Sequence, residues 1–355
     1  VKIQEKYIKR CIELAKNGLG NTYPNPLVGS VIVHKNKIIG EGWHQEAGKA
    51  HAEVNAINAV KNAQLLKEST IYVSLEPCSH YGKTPPCSDL IIEKGIKKVV
   101  IGTTDPFVKV AGRGIKKLMQ AGCDVVVGVL EKECQELNKR FFTFHKEKRP
   151  YIILKWAQTQ NGFIAPKQQD KREPVWISNK YAKQLVHKWR SQEQSILVGT
   201  QTAVKDNPKL NTRLWHGKNP VRLVLDKNLR IPEQSHLLDN SIKTIILTSV
   251  ETKIPDNLKK ENIKIETINF EDNLATQISE ILYKHQLQSV IIEGGKQTLQ
   301  TFIDANLWDE ARVFTGNIRF KNGVKAPTFS AKRIGEEKII NNQLHIYKND
   351  KNLNF

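Results

Sequence analysis

PNPLVGSVIVHKNKIIGEGWHQEAGKAHAEVNAI, residues 24–57, is the stretch on which the first half of the chain turns. Two short apolar runs, Val28–Val33 and Lys37–Gly42, flank a polar turn at His34-Lys35-Asn36, as paired strands do. A helix is predicted over residues 51–63, which puts His51 and Glu53 at its first turn. The same alternation continues outward. Upstream, residues 3–17 read as an amphipathic helix with Ile8, Cys11, Ile12 and Ala15 on one face. Downstream come a strand at Thr70–Ser74 and a helix at Ser88–Lys94 capped by Gly95. A strand at Lys98–Gly102, a helix at Gly114–Gln120 and a last strand at Val125–Val129 follow. The pattern predicts an α/β sandwich with helices over one sheet.

That scaffold carries His51-Ala52-Glu53, then Pro77-Cys78, then Pro86-Cys87. Zinc takes nitrogen and sulfur ligands in a tetrahedron, and a catalytic zinc keeps one position for water. His51, Cys78 and Cys87 supply three ligands and leave the fourth place open. A metal-activated water also needs an uncoordinated carboxylate to carry protons, and Glu53 is placed for that. The order H-x-E…P-C-x-x-C marks zinc nucleobase deaminases. Here the second cysteine comes nine residues after the first, so Ser79–Pro86 must loop out and return. A buried histidine with two core thiols is the plainer reading, but it explains neither Glu53 nor the proline before each cysteine. His80 and Asp89 are the nearby groups that could close the metal shell. Asn25 in its Pro-Asn-Pro turn, His44, His80 and Lys83 are candidate substrate contacts, Lys83 for a phosphate. Each alone reads equally as an ordinary surface group.

The 355 residues are enough for two domains. The polar segment Phe144–Pro150 reads as a boundary, with residues 1–145 before it and 150–355 after it. No apolar run approaches the 18 or so residues of a membrane span, and the charged N-terminus lacks a signal-peptide core. A cytoplasmic protein is expected. Five cysteines, Cys11, Cys78, Cys87, Cys123 and Cys134, are too few and too sparse for a disulfide framework. The net charge of +19 comes from lysines scattered through every segment, with no basic stripe. It fits a phosphorylated small-molecule substrate better than nucleic acid. No membrane partner is expected, and a homo-oligomer is left open.

The second half alternates again. Strands are expected at Tyr151–Trp156, Ser195–Val198, Val221–Asp226, Thr244–Thr248, Ser289–Glu293 and near Leu344–Tyr347, with helices at Ala182–Arg190 and about 296–304. This predicts a mostly parallel sheet. Gly294-Gly295 between strand and helix lets backbone N–H groups approach a phosphate. Thr202, Asp206 and Arg213 are placed in a loop after Ser195–Val198, at the strand end where such sheets bind ligands. Arg190 and Arg213 suit a bidentate phosphate grip, or a surface ion pair. The absence of G-x-G-x-x-G argues against a Rossmann dinucleotide fold.

Residues 24–57, with EPCSHYGKTPPC (76–87) and DPFVKVAGRGIKKL (105–118), make the first half resemble the deaminase half of the bacterial bifunctional riboflavin-pathway deaminase/reductases. The likeness runs from residue 5 to 145. It implies a cytidine-deaminase-like fold, zinc on His51, Cys78 and Cys87, and Glu53 as proton donor. The implied reaction removes the 2-amino group of a diamino-ribosylamino-pyrimidinone 5′-phosphate. KWAQTQNGFIA (155–165), VWIS (175–178), VGTQTAVKDNPKLNTR (198–213) and IIEGGKQT (291–298) resemble the reductase half of the same family. That likeness implies a dihydrofolate-reductase-like α/β domain using NADPH. By it, Ala157, Trp176, Thr202, Asp206 and Gly295 match cofactor positions, and Arg190, Leu210, Arg213 and Glu293 match substrate positions. Asn161 stands where the family usually has Asp, and Pro174 where it usually has Ser. The competing reading is a nucleic-acid deaminase of the tRNA type with a non-catalytic second domain.

Overall fold

The computed structural model describes residues 2–81, 85–107, 111–168 and 171–349. The chain divides between Lys148 and Arg149 into two compact units.

The first unit opens with α1 (Lys2–Ala15), β1 (Gly29–His34), β2 (Lys37–Trp43), α2 (Ala52–Asn58) and β3 (Thr70–Leu75). It continues through α3 (Cys87–Glu93), β4 (Lys98–Thr103), α4 (Arg113–Gln120), β5 (Asp124–Val127), α5 (Glu131–Leu137) and α6 (Lys139–Glu147). The sheet runs β2-β1-β3-β4-β5. β1 is antiparallel to β2 and β3, and β3, β4 and β5 are parallel. Side chains alternate across a strand, so each central strand feeds two cores. Val31, Val33, Tyr72 and Val100 face α1, burying Tyr7, Ile8, Cys11 and Leu14. Ile32, Ile71, Val73, Val99 and Ile101 face the other way, onto Ile57, Ile91 and Leu118 of α2, α3 and α4. A sheet covered on both sides needs strands apolar throughout, which is why VIV, IYV and VVI read as continuous runs. α1 lies close on β1: a Cβ at Gly29 would meet the Cys11 carbonyl oxygen at 2.0 Å.

Two readings of this half change. The predicted helix 51–63 stops at Asn58, and a short 3-10 turn at Ala63–Glu68 begins on the Asn62 side-chain cap. The segment read as a polar boundary is helical through Glu147, with Phe141, Phe142 and Phe144 buried. The helix ends where Lys148 turns left-handed. Charges outnumber aromatics in FHKEKR, and they hide an amphipathic helix whose apolar side packs against Leu75.

The second unit begins with β6 (Tyr151–Gln158), β7 (Phe163–Pro166), α7 (Lys180–Gln192), β8 (Ser195–Gly199), α8 (Thr200–Asp206) and β9 (Val221–Leu225). Then come β10 (Thr244–Ser249), β11 (Ile263–Ile268), α9 (Leu274–Lys284), β12 (Ser289–Ile292) and α10 (Lys296–Asp304). β13 (Glu310–Thr315), β14 (Gly323–Lys325), β15 (Lys332–Ile339) and β16 (Asn342–Lys348) complete it. The main sheet has the order β11-β10-β9-β8-β12-β6-β13-β16-β15, and β14 pairs with β7 separately. From β11 to β13 every pairing is parallel; β16 and β15 join antiparallel. α7 covers one face through Ala182, Val186 and Trp189. α9 and α10 cover the other through Ile278, Leu282, Leu299 and Phe302. The chain runs outward from β8 to β11, then returns to insert β12 between β8 and β6. The carboxyl ends of β8 and β12 therefore lie at the switch point of the sheet, where open α/β sheets bind ligands.

Thr202 and Asp206 were expected in a loop; both lie on α8. TQTAVKD shows no apolar period, because only Ala203 is buried in it. Arg213 does follow in irregular chain.

Candidate functional site

His51 is the N-cap of α2, and Cys87 is the first residue of α3. Cys78 follows β3 by three residues. These elements converge, and the ligand atoms of His51, Cys78 and Cys87 all lie within 4.8 Å of one another. His51 Nδ1 is 3.6 Å from Cys78 Sγ and 3.3 Å from Cys87 Sγ. Tetrahedral zinc with ordinary bond lengths separates a nitrogen and a sulfur ligand by about 3.5 Å. The donors therefore fit zinc in kind and spacing. The Cys87 N–H donates to Cys78 Sγ at 3.2 Å, so the backbone already stabilises negative charge on that sulfur. Hydrogen bonding from Cys87, with His51 adding to it, pulls the Cys78 thiol down to about 4. All five cysteines are free thiols.

Glu53, in the first turn of α2, is 3 % exposed. Burial pushes its carboxyl up to about 7. A carboxyl titrating near neutrality can both accept and return a proton. Next to His51, His44 Nδ1 lies 3.1 Å from the Ala50 carbonyl oxygen and Nε2 lies 3.1 Å from Asn25 Nδ2. The carbonyl must accept from Nδ1–H and the amide must donate to Nε2, so the ring is neutral. Burial lowers its pKa and agrees. The His44 ring meets His51 edge-on with centroids 5.3 Å apart. His44 thus packs against His51, and Asn25 bonds to His44 from behind. His80 is exposed and is not in the cluster. Asp89 pairs with Lys117 rather than approaching the metal ligands. Lys83 lies outside the described residues.

Two buried acids here escaped the sequence reading. Glu76 is 4 % exposed and Asp105 is 8 % exposed. Burial pushes Asp105 up to about 7, and the charges of Glu76 and Cys78 add to the rise. Their signal was available: each is an acid set directly before a proline, in Glu76-Pro77-Cys78 and Asp105-Pro106.

In the second unit, Ala157, Thr202, Glu293 and Gly295 gather at the carboxyl ends of β6, β8 and β12. A Cβ at Gly199 would meet Thr298 Oγ1 at 2.4 Å, and one at Gly294 would meet Thr202 Oγ1 at 2.8 Å. The β8–α8 and β12–α10 turns therefore face each other with only glycine's room between them. Gly295, at φ 74°, turns the chain into α10. Two threonine hydroxyls and a helix start make a cradle suited to a nucleotide phosphate. Trp176 stands half exposed with Lys183 Nζ 3.4 Å from its ring centre.

Arg190 donates to Glu293 through Nε at 3.0 Å and Nη2 at 2.7 Å. Its fork is therefore filled by a carboxylate and is not free to grip a phosphate in the same way. Arg213 is the exposed guanidinium of the pair, bonded to Asn211 Oδ1 at 2.9 Å. Its backbone N–H donates to His187 Nδ1 at 3.1 Å. Burial, then the charges of Arg190 and Arg213, holds His187 down at about 4. Leu210 is buried in a left-handed conformation, and Asp206 ends α8. Lys155, missed in the sequence, lies 3.7 Å from Glu293. A single charge in the apolar run YIILKWA was its signal.

Asn161 Nδ2 donates to the Phe320 carbonyl at 2.7 Å, and its Oδ1 accepts from the Phe320 N–H at 3.3 Å. An aspartate could not make the first bond. The amide ties the β6–β7 turn to residue 320.

Known proteins resemble the two halves of the chain separately. A model of the cytidine and deoxycytidylate deaminase zinc-binding region matches residues 1–103, and one of the RibD C-terminal domain matches 150–319. The riboflavin biosynthesis protein RibD of Aquifex aeolicus (strain VF5) is 39 % identical over 317 residues, covering 88 % of this chain and 86 % of its own. This chain belongs to the RibD family. The RibD of Escherichia coli (strain K12) is 34 % identical over 325 residues, covering 87 % of this chain and 86 % of that protein. The crystal structure of a diaminohydroxyphosphoribosylaminopyrimidine deaminase/5-amino-6-(5-phosphoribosylamino)uracil reductase from Thermotoga maritima superposes with a TM-score of 0.87 at 36 % identity. It spans 98 % of this chain and 99 % of its own. Acinetobacter baumannii RibD, form 1, gives 0.88 at 30 % identity with the same spans. Membership makes the chain a bifunctional riboflavin-biosynthesis enzyme, a zinc-type deaminase followed by a reductase that takes a nicotinamide cofactor. Among the described residues of this RibD-family chain, no helix is long and apolar enough to cross a membrane.

Proposed function

We propose that residues 1–145 deaminate 2,5-diamino-6-ribosylamino-4(3H)-pyrimidinone 5′-phosphate and that residues 150–355 then reduce its ribosyl group to ribityl with NADPH. The observation that carries the first half is the tetrahedral spacing of His51, Cys78 and Cys87 beside the buried Glu53. A zinc ion on those three ligands supplies Lewis-acid activation of the attacking water. Glu53 moves one proton of that water to the ring nitrogen as the water oxygen bonds the ring carbon, then the remaining hydroxyl proton to the amine, so that the carbonyl forms as the C–N bond breaks and ammonia leaves. Neutral His44, fixed by Ala50 and Asn25, holds the wall of the site. In the second half, the glycine-threonine cradle binds the cofactor, with Ala157, Trp176 and Asp206 beside it. The bond between the sugar's C1 and its ring oxygen opens, a hydride from NADPH passes to C1, and a proton goes to the freed sugar oxygen. Leu210, Arg213 and the Arg190–Glu293 pair form the substrate side, with Arg213 toward the phosphate.

Absorbance at 340 nm tests both halves. With the amino-pyrimidine substrate, NADPH should be consumed, and a zinc chelator should stop that consumption. With substrate already deaminated, the chelator should change nothing. NADPH loss from the amino substrate in metal-stripped enzyme would sink the zinc assignment.

The partner is a small phosphorylated pyrimidine in the cytoplasm, with neither nucleic acid nor membrane. Binding to tRNA should be weak at moderate salt. A tight complex that loosens steeply as salt rises would instead favour a nucleic-acid deaminase.

A further inference from the structure

Glu76 has no place in the chemistry described above, yet its surroundings are unusually specific. It lies between the end of β3 and Cys78, and its own N–H donates to the Thr103 carbonyl at 2.9 Å. Its carboxylate is buried, and both oxygens are engaged by backbone. Oε2 accepts from Asp105 N–H at 3.3 Å and from Gly112 N–H at 2.9 Å. Oε1 accepts from Gly114 N–H at 2.9 Å and from Ile115 N–H at 3.2 Å. The donors come from the connection between β4 and α4 and from the first turn of α4. A carboxylate at a helix start, receiving free N–H groups, is favourably placed.

The next residue makes the geometry directional. A Cβ at Gly114 would sit 2.1 Å from the Pro77 carbonyl oxygen. The start of α4 is therefore pressed against the peptide that joins Pro77 to Cys78. Glu76 pulls α4 in through hydrogen bonds, and Gly114 lets it come close enough to touch Pro77. Cys78 is the next residue along.

We propose that Glu76 is a positioning residue for the metal site: its carboxylate clamps the backbone of Asp105 and the start of α4 onto Glu76-Pro77-Cys78 and so sets where the Cys78 sulfur stands. This rests on the reading that zinc is held by His51, Cys78 and Cys87. The clamp also fixes the backbone of Asp105, so one side chain holds a metal ligand and a buried acid of the same site in register. Groups that orient a ligand without touching the metal are worth about 10–100-fold in metal affinity. Glu76→Gln keeps the volume but replaces one accepting oxygen by an NH₂ that faces backbone N–H groups.

The test uses the full-length protein loaded with zinc. Release into excess chelator is followed with a colorimetric zinc indicator for wild type, Glu76→Gln and Cys78→Ala. Cobalt-substituted samples are compared by their thiolate-to-metal and d–d absorption bands, and the thermal midpoint of the metal-free proteins is recorded. Glu76→Gln should release zinc about 10–100-fold faster than wild type. Its cobalt bands should change in energy or intensity. Wild-type release rate and unaltered cobalt bands, with or without a lowered midpoint, would mean that Glu76 serves only the fold and would overturn the proposal. Cys78→Ala separates the two levels of inference. If it retains zinc as wild type does, the metal-site reading fails, and the proposal with it. If it loses zinc while Glu76→Gln behaves as wild type, only the proposal fails. Should Glu76→Gln not fold, Glu76→Asp, with both oxygens on a shorter stem, carries the same measurements and the same criteria.

Discussion

Glu53→Gln should lose deaminase activity by about 10²–10⁴-fold, the usual worth of a positioned general acid–base. Zinc content should remain that of wild type, because Glu53 is not among the converging ligand atoms. The amide has nearly the carboxylate's shape, so the buried site keeps its packing. What it lacks is a proton that can leave and return. Reduction of already deaminated substrate should be unchanged, since α2 belongs to the first compact unit and the reductase cradle to the second. Ammonia release and NADPH oxidation, measured on one preparation, check both statements. A variant that deaminates at the wild-type rate would remove Glu53 from the mechanism. A variant that loses zinc would mean that the carboxylate supports the metal instead.

Arg190→Ala should abolish reduction and destabilise the second unit by roughly 3–5 kcal/mol, the range for removing one partner of a buried pair. The side chains of Arg190 and Glu293 are 11 % and 6 % exposed, so neither charge can turn to water. Lys155, 3.7 Å from Glu293, would remain as its counter-charge, which places the loss toward the lower end. Arg190→Lys should recover little, because an ammonium cannot reproduce the two-pronged contact. The pH dependence follows from the carboxylate. Burial alone would raise Glu293, but Arg190 and Lys155 overcome it and hold the group at about 2, below its ordinary 4.5. A depressed carboxyl stabilises the fold fully above its unfolded value and loses that contribution as pH falls through its folded value. The gap between wild type and Arg190→Ala should thus be widest above pH 4.5 and close as pH falls toward 2. Urea unfolding of both proteins across that range checks it; a gap independent of pH would show that the pair contributes little.

Much of the scaffold could be read from periodicity, because strands buried on both faces show as apolar runs. VIV, IYV, VVI, SILV and SVII were all found this way. β13 was not, since EARVFT interrupts its apolar residues with two charges. In the fold Glu310 accepts from Arg312 Nε at 2.6 Å and from the Tyr151 hydroxyl at 3.1 Å, and Arg312 stacks 4.5 Å from the Trp189 ring centre. The two charges pair with each other along β13, and their remaining partners, Tyr151 of β6 and Trp189 of α7, come from more than 100 residues away, which no local pattern reveals. β15 escaped for the opposite reason: it is an edge strand and is mostly exposed. α6 was hidden by the lysines on its outer face.

The grouping of His51, Cys78 and Cys87 that the fold brings together was legible in the sequence alone, and Glu53 was named with it. Zinc chemistry needs rare residue types at restricted spacings, and His51, Glu53, Cys78 and Cys87 have few other reasons to occur together. Tertiary structure alone decided the state of the groups around them. His44 is neutral because Asn25 and Ala50, 19 and 6 residues away, take its two nitrogens. Arg190 binds a carboxylate rather than a phosphate because Glu293, 103 residues on, reaches it first. Glu76 acquires its hold on α4 from residues 29 to 39 positions away. A residue type limits which bonds a group can make. Which bond it makes depends on the partners that folding brings within about 3 Å, and those distances exist only in the packed chain.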